Sequence, residues 1–294
     1  MITITAATGQ YGRLVIDELL KRGVPASGIV AAVRDPAKAT DLAERGVQVR
    51  EADYDRPKTL VPAFTGTTTL LLIPGAVFGQ RYPQMRRAIA AAAEARVGLV
   101  AYAGFVNTGI STLRLGEEHK QTEQELRSSG LPNVMLRNGA YTEMYTSTLG
   151  PALEQGAIIG SFGDGKISAA TRADLAAAAA AVLTSDDQTG KVYELGGTAF
   201  TMSDLAAEVS RQTGKPITYR DLPVDQYAKI LAGAGLPDAF ADLLADTSLA
   251  ATRGDWYTDS TDLPQLIGRP STPLAHAVAD ALRAGPARTL DPRG

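Results

Sequence analysis

A short apolar strand that runs directly into a glycine-bearing turn and then a helix constrains this chain more than any other feature. Met1–Thr5 is apolar and β-branched, Ala6-Ala7-Thr8-Gly9-Gln10-Tyr11-Gly12 makes the turn, and Leu14, Val15 and Leu19 recur at helical spacing from Tyr11 to about Arg22. In that setting small residues let the backbone approach a pyrophosphate, and the helix start offers N–H donors and the positive end of its dipole. The same turn also serves simply to pack a helix tightly on a strand. Its place inside the first strand–helix unit makes it more specific than a glycine pair alone.

The alternation continues. Ile29–Val33, Gln48–Glu51, Thr69–Ile73, Gly98–Tyr102 and Asn133–Arg137 read as strands. Helical patterns open at Pro36 and span Lys58–Phe64, about Arg81 to Ala95, and Leu115–Ser129. This order predicts an α/β fold, a Rossmann-type doubly wound parallel sheet covered on both faces. After Arg137 the rhythm breaks at Gly139, Gly150-Pro151, Gly156, Gly160 and Gly163-Asp164-Gly165. Asp174 reads as the cap of an alanine-rich helix ending at Leu183, and Val192–Leu195 as one more buried strand. The remainder reads as helical, with one short strand at Ile217–Tyr219. The expected organisation is a dinucleotide-binding domain of residues 1–140 plus the strand region near 171–198. Residues 141–170 and 199–294 then form a smaller C-terminal substrate lobe, with a cleft between the two.

Composition excludes several functions. A chain of 294 residues with 45% hydrophobic and 21% charged residues buries an ordinary globular core. A net charge of −3 gives no electrostatic footprint for nucleic acid or an anionic membrane. The absence of cysteine excludes disulfides, thiolate metal sites and a cysteine nucleophile. The longest apolar run, Ala173–Leu183, is interrupted by Asp174 and is too short to span a bilayer. The start shows no signal-peptide pattern. A cytoplasmic protein acting on a small molecule is the expectation, with a homodimer left open and no metal site.

A three-glycine turn would place glycine at positions 6, 9 and 12, but the first of these is Ala6. If Ala6 keeps an allowed conformation, its methyl group merely lines the turn. A positive φ, or a Cβ aimed at the pyrophosphate, weakens binding. At the tip of the second strand stands Arg34, where a site for NAD would want a carboxylate. Arginine there suits a 2′-phosphate, or else is a solvated loop residue. Asp35 before Pro36 is a good helix cap. Asp53-Tyr54, after the third strand, either meets an adenine or forms a plain turn.

The tyrosine-and-lysine pair of ordinary short-chain dehydrogenases is missing. Only Tyr54 has a lysine four residues on, Lys58, and Pro57 lies between them. Where that engine belongs, His119 and Glu123 are four apart on one helix. The carboxylate could orient and charge the imidazole, or the two could form a surface ion pair. The sixth strand ends in Leu136-Arg137-Asn138-Gly139-Ala140-Tyr141, at the edge where open α/β sheets hold ligands. Asn138 and Tyr141 are therefore candidates for catalysis beside His119, while Arg137 also reads as a tie to an acidic neighbour.

Taken together, these segments resemble the NmrA-like group of atypical short-chain dehydrogenase/reductases, most closely its type 2 NADPH:quinone oxidoreductases. The resemblance rests on Thr8-Gly9-Gln10, Val33-Arg34-Asp35-Pro36-Ala37-Lys38-Ala39, Ala52-Asp53-Tyr54, Glu118-His119, Leu136-Arg137-Asn138-Gly139 and Gly163-Asp164-Gly165-Lys166. It continues through Ala170-Thr171-Arg172-Ala173-Asp174, Lys191-Val192-Tyr193-Glu194-Leu195, Gly235-Leu236-Pro237-Asp238 and Leu266-Ile267-Gly268. It implies NADPH along the strand ends, held by Ala6, Thr8, Gly9, Gln10, Tyr11, Gly12, Arg34, Asp53, Tyr54, Pro74 and Gly75. It also implies a quinone-like or conjugated aromatic substrate stacked by the nicotinamide, a substrate that accepts hydride without the tyrosine–lysine pair. Two departures from the group are Ala6 and the loop Ile73-Pro74-Gly75-Ala76-Val77-Phe78-Gly79, where its quinone reductases are rich in serine. The alternatives are a cofactor-independent isomerase, cyclase or lyase on the same scaffold, and an NADP(H)-sensing regulator acting through a protein partner.

Overall fold

The computed structural model describes residues 1–285. Its first half is a regular alternation: β1 (Ile2–Thr5), α1 (Gln10–Lys21), β2 (Ile29–Val33), α2 (Thr40–Glu44), β3 (Gln48–Glu51), α3 (Leu60–Phe64), β4 (Thr69–Leu72), α4 (Arg81–Glu94), β5 (Leu99–Phe105), α5 (Arg114–Ser128) and β6 (Asn133–Asn138). There follow α6 (Thr142–Thr146), α7 (Leu149–Gln155), β7 (Ala157–Gly160), α8 (Arg172–Leu183), β8 (Val192–Leu195), α9 (Met202–Thr213) and β9 (Thr218–Asp221). The described chain closes with α10 (Val224–Gly233), α11 (Asp238–Leu249), α12 (Asp262–Ile267) and α13 (Leu274–Ala284).

Seven strands form one parallel sheet in the order β3-β2-β1-β4-β5-β6-β8. The chain winds one way from β1 to β3 and the other way from β4 onward, so the C-terminal ends of β1 and β4 flank a topological switch point. The strands are apolar without alternation, as β2 (Ile-Val-Ala-Ala-Val, buried throughout) shows, because helices cover both faces. Ile4, Ala31, Leu71, Ala101 and Leu136 face α1 and α8, while Ala32, Leu72, Tyr102 and Met135 face α3, α4 and Leu126 of α5.

The alanine-rich α8 is buried all round from Asp174 to Leu183, packed between α1 and α12. Small side chains let these helices approach closely. Its cap differs from the sequence expectation. Thr171 is the N-cap, its hydroxyl accepting from the Asp174 amide at 3.1 Å. Asp174 sits two residues into the helix and looks elsewhere, accepting from Arg269 Nη2 and from the Thr272 amide, both at 2.6 Å.

The sequence expectation also missed β7. It pairs in parallel with β9, Ala157 opposite Thr218, to form a separate two-stranded sheet. Around it lies a second apolar core with Phe105, Tyr145, Phe162, Phe200, Leu205 and Trp256. Among the described residues no helix is long and apolar enough to cross a membrane.

Asp174 is the fully buried carboxylate that ties the 262–272 segment back to α8. Asp174→Ala leaves the Thr272 amide and Arg269 without their acceptor. Because Arg269 is half exposed and rehydrates, the expected loss in unfolding free energy is about 2–3 kcal/mol, chiefly from the orphaned Thr272 amide and the lost charge-assisted bond, measured by urea denaturation. A loss below about 1 kcal/mol would show that the tie is dispensable.

Candidate active site

The turn after β1 is built around two glycines. A Cβ on Gly12 would lie 2.7 Å from the Ala6 carbonyl oxygen and 2.9 Å from Ala7 Cα, so only glycine lets α1 pack this close to the turn. Gly9, in extended conformation, is the N-cap of α1, and no side chain caps the helix. The first-turn amides therefore remain available as donors at the positive end of the helix dipole. The Gly9 amide donates to the Ala6 carbonyl at 2.9 Å and closes the turn. Ala6 itself has φ +48°, in the left-handed region. The departure from glycine is thus real backbone strain, of about 1 kcal/mol.

At the tip of β2, Arg34 is exposed and has no ion pair or hydrogen bond to any described residue. Asp35 caps the following turn, accepting from the Ala37 amide at 3.1 Å. The neighbouring Arg13 is engaged with Asp41, with the Lys38 carbonyl at 2.8 Å and with the Thr8 carbonyl at 3.2 Å. Arg34 is accordingly the guanidinium left free beside the turn. Asp53 and Tyr54 are less free than the sequence allowed. The Asp53 carboxylate accepts from the Asp55 amide and from Arg56 Nε, both at 3.0 Å. The Tyr54 hydroxyl donates to the Ile73 carbonyl at 2.7 Å, bracing the β4 exit. What these two offer an adenine is a surface, not spare polar groups.

Pro74 and Gly75 lie in the β4–α4 connection, and a Cβ on Gly75 would meet Gln84 Oε1 at 2.7 Å. This connection is tied down by a buried cluster that sequence reasoning did not assemble. Arg81 Nε donates to the Gly75 carbonyl at 3.1 Å, and Glu118 on α5 accepts from the Gly79 and Tyr82 amides at 3.0 and 3.1 Å. Arg81 Nη1 stands 3.8 Å from Glu118 and is a buried donor without a hydrogen-bond partner. The one local hint was an arginine in the first turn of a helix, where the dipole disfavours a cation.

His119 belongs to this cluster, and the expected coupling to Glu123 is absent. Glu123 is fully committed to Arg137, at 2.7 and 2.8 Å, and to Arg127 at 2.9 Å. His119 Nδ1 and the Tyr102 hydroxyl share a hydrogen bond of 2.7 Å, and the imidazole stacks on Phe105 at 5.8 Å between centroids. Burial, with the positive Arg81 nearby, pulls its pKa down to about 3. It is a neutral, buried ring, neither a surface ion pair nor a charged acid. Arg137 acts as the expected tie, linking α5 through Glu123 to β8 through Glu194 at 2.7 Å.

Asn138 ends β6 on the opposite face of the sheet, toward α1. It is buried, and its Oδ1 has no hydrogen-bond partner. Tyr141 stands three residues on, its ring 6.0 Å from that of Tyr11 and covered at 4.5 Å by the Arg172 guanidinium. Burial pushes the Tyr141 hydroxyl up to about 12, against the pull of Arg172. It is protonated throughout the physiological range. The structure thus brings the β1 turn, Tyr11, Asn138 and Tyr141 to one face of the strand ends. His119 lies on the other face.

An uncapped helix start, glycines that admit close approach, a free arginine at the β2 tip and an orphaned buried acceptor make a site that fits a phosphorylated dinucleotide. Comparison with known proteins agrees: residues 1–257 match the model of the NmrA-like family. The chain belongs to the NmrA-like family. Quinone oxidoreductase 2 of Escherichia coli is 49% identical over 280 residues, which is 95% of this chain and 98% of the relative. The crystal structure of the NADPH-dependent quinone oxidoreductase of Escherichia coli complexed with NADPH superposes with a TM-score of 0.93 at 48% identity, covering 96% of this chain and all of the other. The triphenylmethane reductase of a Citrobacter species, complexed with NADP(H), gives a TM-score of 0.92 at 37% identity, over 96% of this chain and all of that one.

Ala6→Gly relieves the left-handed strain. It should stabilise the protein by about 1 kcal/mol, on the order of 2 °C in Tm by calorimetry. The positive φ was expected to weaken binding, but strain carried equally with and without ligand cancels in the binding free energy, so NADPH affinity should move by less than about fivefold. Much tighter binding in the variant would show that the Ala6 Cβ crowds the pyrophosphate.

The His119 shift has a sign. Its folded pKa lies below the unfolded value of about 6.5, so the unfolded chain binds more protons between the two. The stabilisation is complete above about pH 6.5 and is lost as pH falls toward 3. Between pH 6.5 and 5 the loss is about 2 kcal/mol. His119→Asn should flatten that part of the stability–pH curve, and an imidazole that titrates near pH 6 by NMR would contradict the burial argument.

Proposed function

We propose that this NmrA-like chain is an NADPH-dependent reductase of quinone-like and other conjugated aromatic substrates. The observation that carries the proposal is the pairing of an uncapped α1 start with an unpaired Arg34 at the β2 tip. The near-full-length similarity to a quinone oxidoreductase supports the substrate class. In this assignment the backbone donors from Gln10 to Gly12, with Ala6, Thr8 and Gly9 around them, hold the pyrophosphate. Arg34 holds the 2′-phosphate, Asp53 and Tyr54 border the adenine, and Pro74 and Gly75 border the nicotinamide half. Residues 1–140 and 171–198 carry the cofactor, and residues 141–170 with the segment from 199 onward shape the substrate side of a cytoplasmic enzyme.

When bound, NADPH supplies a hydride. The chain's own residues do the rest. Asn138, buried at the end of β6 against Tyr11, positions that strand end beneath the site. The protonated Tyr141 hydroxyl donates a hydrogen bond to a ring oxygen of the substrate as charge gathers there. His119, neutral and packed behind Phe105, positions the end of β5 and transfers no proton.

The test couples binding to turnover. NADPH should bind more tightly than NADH, and Arg34→Ala should erase about ten- to hundredfold of that preference, the value of one charge-assisted contact. Simple benzoquinones and naphthoquinones should be reduced with NADPH while unactivated ketones are not. Equal affinity for NADH and NADPH removes the role of Arg34. Binding without turnover points to a sensor. No binding at millimolar NADPH points to a cofactor-independent enzyme.

A further inference from the structure

Arg172 opens α8 directly after the N-cap Thr171, at the end of the helix where the dipole disfavours a cation. Its ion pair does not account for that placement. The guanidinium stands 3.6 Å from Glu143 with both side chains partly exposed, an arrangement worth little to stability. The Glu143 carboxylate is engaged with the Arg172 amide, from which it accepts at 3.0 and 3.2 Å. What the Arg172 side chain covers is the Tyr141 ring, with Cζ 4.5 Å from the ring centroid, well within cation–π range.

The backbone at Tyr141 is fixed as well. Tyr141 forms a parallel bridge with Ala170, the Thr142 amide donates to the Ala170 carbonyl at 2.9 Å, and the Ala170 amide donates to the Ala140 carbonyl at 3.0 Å. The titratable groups that face Tyr141 are Tyr11 from α1, Glu143 from α6 and Arg172 from α8, and of these only Arg172 is a cation. The Tyr141 hydroxyl finds no hydrogen-bond partner among the described residues and stays open to solvent. A ring held in place, a spare hydroxyl and a cation seated over the ring together make a donor with a built-in electrostatic support.

We propose that Arg172 is a positioning residue for reduction at this site: seated over the Tyr141 ring, it holds the hydroxyl in place and steadies the negative charge that this hydroxyl takes up while donating to the substrate oxygen. The proposal rests on the reductase assignment and deepens it by naming the residue that sustains the donor. Arg172 makes and breaks no bond. It acts through the ring face, so it favours charge at the hydroxyl while burial keeps the phenol protonated.

The experiment crosses Arg172→Met and Arg172→Lys with Tyr141→Phe, using NADPH and a simple benzoquinone. Arg172→Met should lower kcat about three- to tenfold, the size of one cation–π contact, while NADPH affinity and the quinone KM stay within about twofold. Arg172→Lys keeps the charge and should recover most of the loss. In the Tyr141→Phe background Arg172→Met should change kcat by less than about 1.5-fold, because no hydroxyl is left to carry charge. A second measurement needs no turnover. Difluorotyrosine placed at position 141 ionises at lower pH than tyrosine and is followed by fluorine NMR in the ligand-free protein. Arg172→Met should raise its pKa by about half a unit to one unit, since losing a nearby cation disfavours the phenolate. Equal kcat losses from Arg172→Met in both backgrounds overturn the proposal, as does an unshifted titration, because Arg172 then serves only the fold. A loss confined to NADPH affinity overturns it in favour of a cofactor contact, and Tyr141→Phe without effect on kcat removes the donor itself. In each of these cases the reductase assignment survives. Failure of the unmodified protein to reduce any quinone removes that assignment and the part of Arg172 in turnover together.

Discussion

The approach of α1 to the turn after β1 governs much of the architecture. Gly12 has no room for even a methyl group against the Ala6 carbonyl, so the helix lies directly on the peptide that leaves the sheet. That contact brings the donors of the first turn of α1 to the C-terminal end of β1, beside the switch between β1 and β4. It also fixes α1 for the packing of α8, whose alanines allow a second close approach on the same face. Ala6, held left-handed by the same turn, is the local cost. A strain of about 1 kcal/mol is small beside the apolar surface that the packing buries.

The far half of the strand ends depends on charge instead. Arg137 joins Glu123 on α5 to Glu194 on β8, and the Asn107 amide in turn donates to Glu194 at 2.9 Å. Asn107 Nδ2 reaches the carbonyls of Asp255 and Tyr257, so the β5–α5 connection is pinned from the strand and from the 255–257 segment together. Such a network is stable because each buried carboxylate finds a partner. It also explains the neutrality of His119. With Glu123 held by two arginines, no carboxylate is left to compensate an imidazolium, and Arg81 opposes one.

Much of this was legible in the sequence because the signals were local. Strand–helix alternation, the turn at Ala6–Gly12, the cap at Asp35 and the tie at Arg137 each depend on a few adjacent residues or on one strand end. What escaped depended on distant partners. β7 is four residues long and pairs with β9 about sixty residues later, and nothing within Ala157–Gly160 announces that partner. Helical spacing placed His119 and Glu123 on one face but could not say that the face is buried, since α5 is polar along most of its length. At Asp174 two capping residues, Thr171 and Asp174, stand three apart. Only the position of Arg269 and Thr272 decides which of them turns inward.

The electrostatics of the site bear on which substrates it can reduce. Tyr141 is held protonated, His119 is held neutral, and the β4–α4 connection presents Pro74, Val77 and Phe78, none of which carries a hydroxyl. Tyr141 has no lysine four residues on to lower its pKa, so it is a weaker acid than the tyrosine of ordinary short-chain dehydrogenases when hydride arrives. An unactivated ketone concentrates the new charge on one oxygen and needs such a donor. A conjugated ring spreads the charge over its carbons and its second oxygen, so a hydrogen bond from a protonated phenol suffices. In a low-dielectric site that difference is magnified, because localised charge is the more expensive to leave unsolvated. On the proposed assignment, the missing tyrosine–lysine pair is part of how the site chooses a substrate.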